Sequence, residues 1–174
     1  MRYKRVEHVA IAVKSLDEVR AIFEDKLGLK LDYVESFPQY ETKIAMYPVG
    51  ETCIEFLEGT SDTSDPAKWI AKHGESLYHI CLEVDDIDAA LVELKAKGVR
   101  PLNETPTVGH GNSRVAFLDP STTANILIEL AELPTQHGPD GGADQSAEYG
   151  ASPWNRNTSM ISSSATCSKP TDER

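Results

Sequence analysis

The chain has little positive charge to offer: 17 Lys and Arg stand against 28 Asp and Glu, a formal net charge of −11 over 174 residues. That deficit excludes a nucleic-acid binder, whose phosphate contacts need clustered Lys and Arg. It also means that an anionic ligand would need a local positive centre, which a bound metal could supply. Long apolar runs are lacking, so no segment is fit to cross a bilayer. The start, MRYKRVEHVAIAV, passes from a short basic stretch straight into alternating apolar residues. It has neither the continuous apolar core nor the small-residue cleavage site of a secretory signal, which points to a cytoplasmic protein. Cysteine is scarce: Cys53, Cys81 and Cys167 are odd in number and lack metal-type spacing, which excludes a disulfide framework and a zinc knuckle. Cys53 in CIEFLE and Cys81 in HICLEV read instead as small strand-core residues.

What is present is a balance of 40% apolar and 26% charged residues, that of a globular protein, in a length suited to one domain. The character changes after Leu133. Residues 134–174 are rich in Gly, Ser, Pro, Asp and Thr without apolar periodicity. Such a segment buries too little surface to offset its ordering entropy, so a domain over 1–133 followed by a disordered extension is expected.

Within 1–133 a pattern occurs twice. Setting EHVAIAVKSLDEVRAIFEDKLGL (Glu7 to Leu29) against YHICLEVDDIDAALVELKAKGV (Tyr78 to Val99) aligns His8 with His79, Ile11 with Leu82, Val13 with Val84 and Asp17 with Asp88. Both copies open with period-2 alternation and then switch to helical spacing. Val9, Ile11 and Val13 face one way; His8, Ala10 and Ala12 face the other, and His79 shares a face with Cys81 and Glu83. Ser15-Leu-Asp-Glu18 is a capping box opening the first helix, which Gly28 closes. Asp85 or Asp86 caps the second, with Leu91 and Leu94 inward and Gly98 at its end.

Further strands are expected at Lys30 to Glu35, Thr42 to Val49 and Cys53 to Glu58, and again at Arg100 to Leu102, Arg114 to Leu118 and Asn125 to Leu130. Val49-Gly50-Glu51 and Asp119 to Thr122 read as hairpin turns. The spacing thus predicts an α+β fold of two βαβββ modules, about 5–58 and 76–132. Between them Asp65 acts as cap and Pro66 as first residue of a short helix.

The closing strands answer each other too. CIEFLE sets Glu55 opposite Ile54 and Phe56, and ILIELAE sets Glu129 opposite Ile128 and Leu130. A strand carboxylate between apolar neighbours costs several kcal/mol to bury unless a cation or donors compensate. A lone strand histidine is most often a core or edge residue, and an alternating Glu is usually a solvated face. Neither reading accounts for one His and one Glu recurring at matching places in both halves. His8, Glu55, His79 and Glu129 are therefore expected to form a mixed N/O site for a divalent Co, Ni, Mn, Fe or Zn, with positions left open for water or substrate. His73 and His110 have no partner in the repeat and stay outside this set.

With those residues in hand, the sequence from about Arg5 to Glu132 resembles the vicinal oxygen chelate superfamily, and within it the methylmalonyl-CoA epimerase family. The segments that carry the resemblance are EHVAIAVKSL, GETCIEFLEG, DPAKWIAKHGESLYHICLEVDDIDAALVELKAKGVR, and GHGNSRVAFLDP followed by ILIEL. The resemblance implies a partly open barrel of paired βαβββ modules around a divalent ion, cobalt first and manganese, nickel or zinc after it. It also implies a homodimer acting on an acyl-CoA substrate. The implied activity is interconversion of (2R)- and (2S)-methylmalonyl-CoA by abstraction of the C2 proton through a metal-stabilised enolate. The family's ligands fall on His8, Glu55, His79 and Glu129, and Glu129 is the implied base. Two departures stand out: Ile44 occupies the place of a second acid/base Glu found in some bacterial epimerases, and Asp119-Pro120-Ser121 replaces a common His-Pro-Lys.

Glu41, Lys43 or a water are candidates for the acid on the other face, and Lys68, Lys72 and Arg114 for contacts to CoA phosphates. Gly109-His110-Gly111 is a flexible loop that could close over ligand. Other readings on the same scaffold are a glyoxalase I-like lyase, a ring-cleaving dioxygenase with two His and one Glu, and a metal-free resistance-type binding protein. Four ligands stand against the dioxygenase, and the stretch Lys68 to Arg100 favours the epimerase over the glyoxalase.

Overall fold

The computed structural model describes residues 1–134. The elements run β1 (Tyr3–Val13), α1 (Leu16–Phe23), β2 (Tyr33–Phe37), β3 (Thr42–Val49), β4 (Thr52–Gly59), α2 (Asp65–His73), β5 (Ser76–Val84), α3 (Ile87–Ala96), β6 (Thr107–Val108), β7 (Arg114–Leu118) and β8 (Ile128–Glu132). Without α2, the order βαβββ occurs twice. The strands form one mixed sheet in the order β2-β3-β4-β1-β5-β8-β7-β6, curled into a half-barrel: the vicinal oxygen chelate fold. The two first strands, β1 and β5, lie side by side and antiparallel at its centre. Each pairs in parallel with the last strand of its own half, β4 or β8.

The helices form where the sequence signals them and bury the stripe it marks. Ser15 caps α1 by accepting from Glu18 N–H, and Asp86 caps α3 by accepting from Ala89 N–H. Leu16 and Val19 of α1 pack on Val13, Ala45, Tyr47 and Phe56. Ile87, Ala90, Leu91 and Leu94 of α3 pack on Val84, Ala116, Leu118 and Leu130. Each large side chain so buried contributes about 1.5–3 kcal/mol of transfer free energy. A further match between the halves is invisible in the periodicity. Glu58, three residues after Glu55 and so on the other face of β4, accepts from Leu16 N–H at 2.6 Å, and Glu132 accepts from Ile87 N–H at 2.8 Å. In both modules the last strand supplies an anion to the first unpaired N–H groups of the helix.

Several boundaries differ from the sequence expectations. No strand forms over Arg100 to Leu102; Pro101, without an N–H to give, makes only an isolated bridge to Leu118, and the short strand β6 pairs with β7 instead. Leu29 and Leu31 pack beneath α1, so β2 joins its ladder only at Tyr33. Ala124 and Asn125 are left-handed, at φ 55° and 63°, which no strand tolerates, and β8 starts at Ile128. Asp119 to Thr122 is a 3-10 turn capped by Asp119 rather than a hairpin turn. Ser64, not Asp65, caps α2, accepting from Ala67 N–H. Gly50 does turn the β3–β4 hairpin, at φ 65°. The disordered extension expected after Leu133 falls on residues that, from 135 on, lie outside the described ones.

Candidate metal centre and its pocket

The sheet register brings four side chains to one point. Across the antiparallel β1–β5 ladder His8 lies opposite Cys81, and Ala10 lies opposite His79. Across the parallel ladders Glu55 lies opposite Ala10, and Glu129 opposite Cys81. Residues opposite one another, and residues two apart on a strand, share a face. His8, His79, Glu55 and Glu129 therefore point to the same side, with the small residues Ala10 and Cys81 leaving them room. All four are 5% exposed or less.

The distances are those of a cluster. His8 Nε2 and His79 Nε2 are 2.8 Å apart. Glu129 Oε2 lies 3.1 Å from His8 Nε2 and 2.8 Å from His79 Nε2, while Glu55 Oε2 lies 3.3 and 3.8 Å from the same atoms. Burial alone would lower the proton affinity of His8, but Glu55, the Cys81 sulfur and Glu129 outweigh it and hold the imidazole well above its ordinary range. Burial would likewise raise Glu129, yet His79 and His8 keep its carboxyl well below the usual carboxylate range. Two nitrogens facing each other at this distance cannot both carry a proton toward the other, and two buried carboxylates need positive charge beside them. The donor atoms of His8, Glu55 and His79 lie within 4.8 Å of one another, a set suited to one divalent ion. The four residues singled out in the sequence thus lie together, and their donors are of the kind a divalent ion takes.

Two further residues stand beside them: Glu7, which the sequence reading passed over, and His110, which it kept outside the ligand set. The β1–β5 register slips between Val6 and His8, so that Glu7 is a bulged residue, and slips again between Ala10 and Ile11, where Tyr78 of β5 is the extra one. The bulge turns Glu7 inward beside His8, where simple alternation would send it to the opposite face; Glu7 is 5% exposed. Its Oε2 is 2.5 Å from His8 Nδ1 and 3.2 Å from His110 Nε2. Burial would raise Glu7, but His110 and His8 hold its carboxyl far below the ordinary range. His110 is not within the cluster itself, as its lack of a repeat partner suggested, but it stands one residue behind it. Nothing in the periodicity marks a bulge, whereas the Gly109-His110-Gly111 loop is marked as one that could close over ligand, without giving His110 a contact to Glu7.

Three of the four, Glu55, His79 and Glu129, line a cavity of about 250 Å³, with His8 buried behind them. Ile44, Leu57, Val115 and Phe117 wall it, with Tyr78 and His110 on its sides. Gly109 also lines it, and a Cβ there would come within 2.6 Å of Val115 Cγ1 and 2.9 Å of Ser113 Oγ, so the loop can lie this close only as glycine. The candidate second acids are elsewhere. Lys43 alternates with Thr42 and Ile44, which line the cavity, and is itself exposed; Glu41 accepts from Thr63 Oγ1 at 2.7 Å outside it. The candidate phosphate contacts are also displaced: among the described residues no Lys or Arg lines the cavity. Arg114 pairs with Asp88 and Glu132, and Lys68 with Asp65. His73 packs against Trp69, ring centroids 4.2 Å apart. Burial, then Glu129, push the Cys81 thiol up, so it stays uncharged. No helix among the described residues is long and apolar enough to cross a membrane.

Residues 7–117 match the family model of the Glyoxalase/Bleomycin resistance protein/Dioxygenase superfamily. The chain is 33% identical over 129 residues to the mitochondrial methylmalonyl-CoA epimerase of Homo sapiens, covering 74% of this chain and 73% of that one. It is 32% identical over 131 residues to the ethylmalonyl-CoA/methylmalonyl-CoA epimerase of Cereibacter sphaeroides, covering 74% and 98%. Among solved structures, the crystal structure of methylmalonyl-CoA epimerase from Mycobacterium tuberculosis superposes with a TM-score of 0.71 at 31% identity, covering 75% of this chain and 88% of that one. With two histidines and two glutamates gathered by paired βαβββ modules, and relatives of this kind, the chain belongs to the Glyoxalase/Bleomycin resistance protein/Dioxygenase superfamily.

Proposed function

We propose that this protein is a metal-dependent epimerase that interconverts (2R)- and (2S)-methylmalonyl-CoA. The observation that carries the reading is the convergence of His8, Glu55, His79 and Glu129, the last three lining a cavity with apolar walls, in a chain whose relatives bear that name. His8, His79, Glu55 and Glu129 would hold the cation, cobalt before manganese, nickel or zinc. Bound there, it would offset the negative charge that develops on the thioester carbonyl as C2 loses its proton, a stabilisation of several kcal/mol. Every 1.36 kcal/mol of that is about tenfold in rate.

Glu129 is the base. Its carboxylate lines the cavity and takes the C2 proton, the C–H electron pair passing into the thioester enolate. Water entering the cavity returns a proton from the opposite face, since Ile44 offers none and Glu41 and Lys43 do not reach; the hydroxide left behind is neutralised by the proton that Glu129 releases to solvent, which resets the base. The apolar wall of Ile44, Leu57 and Phe117 suits the small alkyl group on C2 and limits how much water reaches the carbanion. The active form is a homodimer.

The test is exchange of the C2 hydrogen of methylmalonyl-CoA in deuterated water, followed by proton NMR with cobalt-loaded protein. Loss of the C2 proton signal at a rate proportional to enzyme is expected; no exchange above the uncatalysed rate removes the substrate assignment.

A further inference from the structure

We propose that Glu7 is a positioning residue for the metal centre, locked by His110, so that a hydrogen-bond chain from the pocket wall fixes the orientation of His8. The inference rests on reading His8 as a ligand. An ionised carboxylate can only accept, so both imidazoles that face Glu7 Oε2 must donate to it: His8 through Nδ1–H at 2.5 Å, His110 through Nε2–H at 3.2 Å. His110 Nδ1 in turn pairs with the Tyr33 hydroxyl at 3.0 Å. Both nitrogens of His110 and Nδ1 of His8 thus have a partner in the chain. With Nδ1 committed to Glu7, Nε2 is the nitrogen of His8 turned to the cluster, where a bound metal would take it.

The chain is built by the fold rather than by chance packing. Glu7 is turned inward by the bulge in β1, Tyr33 comes from β2 in the first module, and His110 comes from the loop between β6 and β7 in the second. The matching bulge in β5 turns in Tyr78, which brings a phenol and no acid, and His79 Nδ1 has no hydrogen-bond partner among the described residues. The two histidines are thus unequal: His8 is anchored and His79 is not. Because His110 and Gly109 line the cavity, whatever presses on that loop acts on His8 through Glu7.

The experiment uses the full chain, stripped of metal and reloaded with Co2+. The dissociation constant is measured by competition with a chelator, the ligand-field spectrum of the bound Co2+ is recorded, and the melting of each metal-free form serves as control. Glu7→Ala is expected to weaken Co2+ binding by about 10- to 100-fold and to shift the visible bands. Glu7→Gln, which keeps shape and one acceptor oxygen, should fall between it and the parent and remains informative where the alanine variant does not fold. His110→Phe should weaken binding alone but add little in the Glu7→Gln background, because it acts through that carboxylate. Parent-like affinity and spectrum in folded Glu7→Gln and His110→Phe overturn the proposal, as does lowered melting with unmoved bands. A parent protein that takes up no Co2+ overturns the metal reading itself, a different result from Co2+ binding that is indifferent to Glu7.

Discussion

Ala10 and His79 face each other across the β1–β5 ladder, as Cys81 and His8 do two positions along. The arrangement is close to a twofold: each histidine looks across at the small residue two beyond the other. Each of those small residues in turn faces a glutamate on its parallel neighbour, Glu55 or Glu129. Small residues at positions 10 and 81 are a requirement of this geometry, since a larger side chain at either would push an imidazole and a carboxylate apart.

Cobalt affinity should tighten as pH rises. His8 is held above its ordinary range in the metal-free protein, so a cation must displace its Nε2 proton. A raised value means the proton is fully bound below the ordinary histidine range and is given up only above it. The apparent affinity therefore climbs with pH through about 6.5 and beyond before levelling off. Chelator competition at several pH values, with proton release followed by indicator dye, checks the direction; an affinity flat across that window contradicts it.

Catalysis should depend on Glu129 and not on the distal residues. Glu129→Gln should lower the rate of C2 exchange by about a hundredfold or more, the range for loss of a general base. Deleting residues 134–174 should leave exchange nearly unchanged, because the four cluster residues and the cavity walls named above all lie before Pro134. The same deuterium exchange assay measures both. A large loss on truncation would assign those residues a part in catalysis.

Stability should follow the packing of α3. Leu130, fully buried against Ile87 and Leu91, should cost about 2–5 kcal/mol when changed to Ala. Asp86→Ala removes the cap on Ala89 N–H and should cost about 1 kcal/mol. Urea unfolding of metal-free protein checks both, with the midpoint falling and the slope unchanged.

The cluster was legible because unusual residue types recur at one register in two halves: His8 with His79 and Glu55 with Glu129 need only period-2 alternation to be placed on one face. Glu7 was not, since alternation assigns it the opposite face and a bulge leaves no mark in a single sequence. The capping residues Ser15 and Asp86 were legible from local chemistry, whereas Ser64 was hidden by the neighbouring Asp65, an equally good cap by type. The strand expected at Arg100 to Leu102 failed on Pro101, and the start of β8 on the left-handed pair Ala124 and Asn125. These are tertiary choices of backbone that composition does not dictate.

Neither module owns the proposed metal centre. Each would contribute one nitrogen and one oxygen donor, which alone would grip a cation weakly, and the set is completed only along the seam where β1 meets β5. A loaded ion would therefore act as a rivet through that seam: the halves could not part without surrendering it, and a solitary half could assemble the same centre only by joining a copy of itself.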